Sequence, residues 1–212
     1  MRNKSMLILA GACLAMAGNQ SQATVSYSFA TDAASYDVSG GSATVNVYLQ
    51  ETLTDSSPSQ IGPSGLTSGL DGAAFKVDWI SGNSAKLNDL AYNPAFDSGS
   101  PINSKTALPL TTSASLTEST LNTSNGVGLD SNGRVFLGSV SLGSDVGSGL
   151  TTFSILAYND IAGNIFSRLN DGILLDNSSP PTAATFTAVV PEPAGMLLLG
   201  LGGLVMIRRR RR

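Results

Sequence analysis

Apolar and polar residues alternate with a period of two through much of this chain. Val25, Tyr27 and Phe29 are separated by Ser26 and Ser28, and Val45, Val47 and Leu49 by Asn46 and Tyr48. Ala73, Phe75, Val77 and Trp79 share one phase, with Lys76 and Asp78 in the other. Successive side chains of a β-strand point to opposite faces, so each run predicts a half-buried strand. Later runs are more continuously apolar: Val135 to Leu142, Phe153 to Tyr158, Ile173 to Leu175 and Phe186 to Val189. Clusters of Gly, Asn, Asp, Ser and Pro separate the runs, as turns require. Helical periodicity is scarce. Many short strands without intervening helices predict an all-β domain, an antiparallel β-sandwich or barrel.

Residues 97–128 lack sustained alternation and are rich in Ser and Thr. A structureless loop of that length is uncommon inside a compact domain. Weak edge strands are expected there, around Ala107 to Leu110 and Ala114 to Leu121.

The two ends follow other patterns. Arg2 and Lys4 precede an apolar run from Met6 to Ala17, and small residues follow at signal-peptidase spacing. This is the three-part pattern of a removable signal peptide, residues 1–23, with cleavage expected after Ala23 or, alternatively, after Ala17. At the other end, Pro191, Glu192 and Pro193 precede an apolar run from Ala194 to Ile207 and then Arg208, Arg209, Arg210, Arg211 and Arg212. As a single hydrophobic helix that run would be about 21 Å long. It is short against a hydrocarbon core of roughly 30 Å, and transient membrane insertion is expected. The arginines favour the cytoplasmic side, which places residues 24–190 outside.

Composition narrows the choices for that body. Among its residues, five cations face fourteen acids, a net charge near −9, although the whole chain stands at −3. Scattered cations on an acidic body argue against nucleic acid as a partner. The chain has no histidine, and its one cysteine, Cys13, falls in the leader. Triads with a histidine base, cysteine nucleophiles and the common zinc sites are therefore excluded.

The C-terminal order of parts, from Pro191, Glu192 and Pro193 through the apolar run to the arginines, resembles the PEP-CTERM sorting signal of residues 191–212. The resemblance implies a substrate of an exosortase, a membrane peptidase acting near the motif, with signal peptidase as the second processing enzyme. Thr44–Leu49, Gly69–Trp79, Leu90–Phe96, Val135–Val140 and Gly149–Ile155 together resemble a cohesin-like or carbohydrate-binding-module-like sandwich of jelly-roll type. A "Tyr-x-Pro" turn at Tyr92, Asn93 and Pro94 is part of that likeness. Such a fold carries no single function.

Candidate chemistry in the body is sparse. Asp130, Ser131, Asn132 and Gly133 begin like a calcium loop, but position 141, where an EF-hand closes with a bidentate acid, is Ser141. Asp130 and Asn132 are therefore weak candidates for Ca2+, against a hairpin turn running into Arg134. Asp160 with Asn164, and Asp171 with Asp176 and Asn177, could add oxygens. Tyr48, Trp79, Tyr92 and Tyr158 are candidates for a sugar-stacking platform. Trp79 shares its phase with Phe75 and Val77 and is expected in the core. Tyr48, on the polar phase, is the better surface candidate for carbohydrate binding. Asp37, Asp78 and Asp89 are read as solvated acids, since glycoside hydrolysis needs two facing carboxyls. No catalytic residue and no obligate cofactor is assigned. The expected function is that of a non-enzymatic surface or extracellular-matrix protein. A binding module for extracellular polysaccharide is the alternative, and a hydrolase a weaker one.

Overall fold

The computed structural model describes residues 25–54, 58–62, 69–96, 103–105, 113–119, 126–145, 147–158, 167–168 and 181–192. Eleven strands follow in order: β1 Val25–Thr31, β2 Ser35–Asp37, β3 Ser42–Leu53, β4 Leu70–Ser81, β5 Ala85–Tyr92, β6 Ser104–Lys105, β7 Ser113–Ser119, β8 Arg134–Ser144, β9 Gly149–Ala157, β10 Ser167–Arg168 and β11 Ala184–Val190. They form two sheets. One has the order β1-β3-β8-β5; the other runs β2-β11-β9-β4-β7-β6, with β10 also paired to β4. Pairing is antiparallel except between β11 and β2, which run parallel. The expected all-β sandwich is present, with this one mixed edge.

The inward faces are those the alternation marks. Val45, Val47 and Leu49 from β3, and Ala73, Phe75 and Val77 from β4, are fully or almost fully buried. Phe153 of β9 stacks on Phe186 of β11 at 5.3 Å between ring centroids, and Tyr36 of β2 meets Phe186 edge-on at 5.7 Å. Burying each such ring contributes about 1.5–3 kcal/mol.

Where the sequence shows a continuous apolar run, the structure shows a change of phase. In β8, Val135 and Leu137 face the core, then Val140 and Leu142 do. The register with β3 shifts at this point, Val47 opposing Gly138 and Tyr48 opposing Phe136. Gly138 makes the shift tenable: its φ is +152°, and a Cβ there would lie 2.6 Å from the Ala91 carbonyl oxygen. The extra residue of a β-bulge reverses the faces that follow it. β5 carries a similar shift between Leu87 and Asp89, so Leu87 and Leu90 are both buried despite their odd spacing.

Within residues 97–128, β7 takes the place of the strand expected around Ala114, and β6 is a second, very short edge strand. The strand expected at Ala107 to Leu110 falls outside the described residues, as does Ile173 to Leu175.

Register fixes which parts share an end of the sandwich. Val25 opposes Leu53, and Gln50 opposes Arg134. The start of β1, the end of β3 and the Asp130–Gly133 turn therefore lie together. Ser42 opposes Gly143, Gly149 opposes Val190, and Ser81 opposes Thr152. The start of β3, the β4–β5 connection, the start of β9 and the end of β11 form the opposite end.

Candidate functional site

The last strand leads directly into the candidate sorting segment. β11 is tied to β9 along its whole length and to β2 at Thr187–Val189. The Val38 backbone N–H donates to the Val189 carbonyl at 2.9 Å. Phe186 and Ala188 face the core, which pins the strand by its buried side chains. The ladder then stops for a chemical reason: proline has no N–H to donate, so Pro191 cannot continue the pairing. Pro191 and Glu192 are both exposed. Pro193, the apolar run and Arg208 to Arg212 lie outside the described residues, as do Ala17 and Ala23.

The Asp130 turn is a closed hydrogen-bonded unit. One Asp130 carboxylate oxygen accepts from the backbone N–H of Asn132 at 2.7 Å and of Arg134 at 3.0 Å. The other faces the Arg134 guanidinium at 3.3 Å. Burial would raise the Asp130 pKa, but these donors and the arginine charge hold it below the ordinary aspartate value. Gly133 sits at φ +72°, as the turn needs. The geometry is that of a hairpin turn, and the arginine beside the carboxylate opposes a divalent ion. Among the described residues, no group of three or more His, Cys, Asp or Glu side chains is placed to hold a metal. Asp160, Asn164, Asp171, Asp176 and Asn177 lie outside those residues.

Tyr48 lies on the outward face of β3, as its phase requires, and is half-buried. The Arg134 guanidinium stands over its ring at 4.4 Å, and Phe136 packs beside it at 5.6 Å. The fold thus joins two candidates that are distant in sequence, Tyr48 and Asp130, through Arg134. It also occupies a ring face that a sugar would use.

Trp79 departs from expectation. It is 43% exposed instead of buried. β4 and β9 slip out of register between Trp79 and Ser81, so Trp79 stands at the slip although its partner Phe153 is buried. Its indole N–H donates to the Gly82 carbonyl, laying the ring toward that end of the sandwich. Tyr92 and Tyr158 are half-buried on β5 and just after β9, on different sheets.

Of the acids read as solvated, Asp37 accepts from the Ser39 N–H at 2.8 Å. Asp78 pairs with Lys76 at 2.7 Å, and Asp89 with Lys105 at 2.9 Å. The last two are cation-paired. Lys105 belongs to an edge strand whose contact with β5 no local pattern announces.

Two polar residues with structural roles were not legible in the sequence. Glu51 continues the inward phase of β3 and is buried; its carboxylate accepts from Tyr27 Oη at 3.2 Å, from the Gln60 and Ile61 N–H groups at 2.8 and 3.3 Å, and from the Ser59 hydroxyl. Asn93, also buried, donates to the Phe136 carbonyl at 2.6 Å and accepts from the Ala95 N–H at 2.9 Å. The only signal for either was a polar residue on an apolar phase or before a proline.

Comparison with known proteins bears on both parts. A cohesin, the seventh ScaB type I module from Pseudobacteroides cellulosolvens, is similar over 80% of this chain and 94% of its own, at 13% identity and a TM-score of 0.49. A cohesin from Clostridium acetobutylicum matches over 78% and 90% at 12% identity and 0.48. The cohesin module of a family 33 glycoside hydrolase from Clostridium perfringens matches over 80% and 100% at 12% and 0.47. Likeness at this level concerns the arrangement of strands and carries no function across. No curated protein sequence matches the chain. The C-terminal segment matches a family profile described as the PEP-CTERM protein-sorting motif, over residues 189–212. The match begins inside β11, at Val189. This chain is therefore an all-β sandwich whose final strand runs into a PEP-CTERM protein-sorting motif.

Proposed function

We propose that this is an exported protein, sorted by an exosortase to the cell surface or extracellular matrix, with a structural or adhesive role and no catalysis. Residues 1–23 act as a signal peptide removed by signal peptidase, residues 24–190 as the delivered body, and residues 191–212 as the sorting signal. The observation that carries this reading is the unbroken passage from β11 into the motif. Hydrogen bonding up to Val190 leaves Pro191 and Glu192 as the first free backbone beyond the fold. Two prolines around Glu192 keep that backbone extended, the form in which a peptidase takes its substrate. The apolar run would insert transiently, and the arginines would hold its far end in the cytoplasm.

Tyr48 is already stacked by Arg134, and Asp78 and Asp89 are held by lysines, so the geometry favours neither the carbohydrate-binding nor the hydrolytic alternative. Intact-mass measurement tests the reading, using protein from the native host and from a strain without its exosortase. The mature form should lack residues 1–23 and everything from Ala194 onward, and the deletion strain should accumulate chains with the tail attached. A mature pool that keeps Ala194 to Arg212 despite an active exosortase would falsify the proposal.

A further inference from the structure

The described residues include four exposed large apolar side chains: Leu53, Trp79, Ile80 and Leu150. Three of them, all but Leu53, gather at the end of the sandwich from which β11 leaves. Leu150 opposes Val189, next to the Gly149–Val190 pair. Gly82 packs so tightly on the Leu150 carbonyl that a Cβ there would run into it. Trp79 leans to the same place through its hydrogen bond to Gly82, and Ile80 occupies the register slip between Trp79 and Ser81. Leu150 is the most exposed of the set at 61%.

Chain length decides what this patch faces. Only Pro191, Glu192 and Pro193 separate Val190 from the apolar run at Ala194. Four Cα-to-Cα steps reach at most about 14 Å, even fully extended. The headgroup layer on one side of a bilayer takes roughly 5–7 Å of that distance. With the run inserted, the end of β11 is held at most about 7–9 Å beyond the headgroup layer, the difference between those two lengths, and closer wherever the linker is less than fully extended.

We propose that, before the tail is cut, Trp79, Ile80 and Leu150 rest in the headgroup layer of the outward-facing leaflet, holding the body end-on to the membrane. This rests on the tail being membrane-inserted, as proposed above. The chemistry suits the site: an indole with one polar N–H and two branched aliphatic side chains are the groups that settle at a membrane–water interface. The charges at this end are Asp37, Asp145, Lys86 and Glu192, with Lys86 and Asp145 3.6 Å apart. Acids outnumber cations there, so apolar insertion drives the contact, and anionic lipid should not strengthen it.

Trp79 is the only tryptophan of the chain, so its fluorescence reports this end alone. The tail-bearing protein, purified from a host without an exosortase, is reconstituted in phosphatidylcholine vesicles. Flotation with the vesicles reads tail insertion independently of the tryptophan. Trp79 emission should shift to the blue, become shielded from acrylamide and be quenched by lipids spin-labelled at the headgroup more than by lipids labelled at the chain end. The double variant Ile80→Ser, Leu150→Ser should still float but lose most of that shielding, and adding phosphatidylglycerol should not increase it. Flotation with Trp79 fully open to acrylamide overturns the membrane contact while leaving the tail reading intact. Failure to float overturns both. Shielding that appears only when the vesicles also carry an exosortase makes the patch a protein-binding surface and overturns the lipid assignment.

Discussion

At the end of the sandwich where β1 begins, polar groups are consumed: Glu51 gathers four donors, and Asp130 uses both carboxylate oxygens on Asn132 and Arg134. At the end where β11 leaves, apolar groups are spared, with Trp79, Ile80 and Leu150 open to solvent. Both ends are built from strand ends and tight turns, so secondary structure does not cause the difference. One end uses its buried and half-buried polar groups within the fold, and the other leaves three large apolar side chains exposed.

The sharpest test of that contrast sets Glu51 against Trp79. Glu51→Ala removes the acceptor from buried donors, each of which costs about 1–3 kcal/mol when left unmet. The measured loss of unfolding free energy should be about 3 kcal/mol by urea denaturation. Trp79→Ala, the larger truncation, should cost less than about 1 kcal/mol in the tail-free body, because the ring is largely outside the core. Similar losses for the two would erase the distinction between the ends.

A smaller effect comes from a glycine at each end. Gly82 lies at φ +82° against the Leu150 backbone, whereas Gly133 lies at φ +72° with the tip of the Gln50 side chain at 3.3 Å and the Glu51 carbonyl oxygen at an ordinary contact distance of 3.7 Å. Gly133→Ala adds left-handed backbone strain of about 1 kcal/mol. Gly82→Ala adds a backbone clash to that strain and should cost about 2–3 kcal/mol. Thermal melts of both variants would check the order; a cost at Gly133 equal to that at Gly82 would mean the close approach at the β11 end yields easily.

The smallest effects should separate by pH. Asp130 is ionised in the folded protein below its ordinary range, because the hydrogen bonds and the Arg134 charge outweigh burial. As pH falls through that range, the unfolded chain takes up the proton first, so stability declines on the acid side. Tyr36, beside β11, is pushed up from 10.0 to about 12, by burial first and then by its hydrogen bond to Asp32. Above about pH 10 the unfolded chain releases a proton that the folded one keeps, so stability falls as pH rises toward 12. In melting temperature against pH, Asp130→Asn should flatten only the acid slope and Tyr36→Phe only the alkaline slope.

These contrasts also show what could be read from residues alone. The sorting segment was fully legible, because its signal is the linear order of Pro191, Glu192, Pro193, apolar run and arginines, which needs no tertiary partner. The faces of β1, β3 and β4 were legible for a similar reason: alternation is local. β5 shows in the sequence only through the turn at Tyr92, since the slip between Leu87 and Asp89 breaks its period. Trp79 is exposed where alternation places it in the core, because the β4–β9 register slips there and alternation within one strand carries no sign of a slip against its neighbour. Glu51 and the Tyr48–Arg134–Asp130 chain stayed hidden because their partners lie in other strands and loops, brought close only by register.

That Val25 and Val190 lie at opposite ends of the sandwich has a consequence for display. β3 alone, from Ser42 to Leu53, spans about 35 Å at the usual rise of a strand. Under the proposed sorting, with the C-terminal side joined to an envelope component, the body would stand as a post of about that height. The Asp130 turn and the Leu53 strand end form its crown, and whatever reaches the protein from the surroundings meets that crown before anything near the foot.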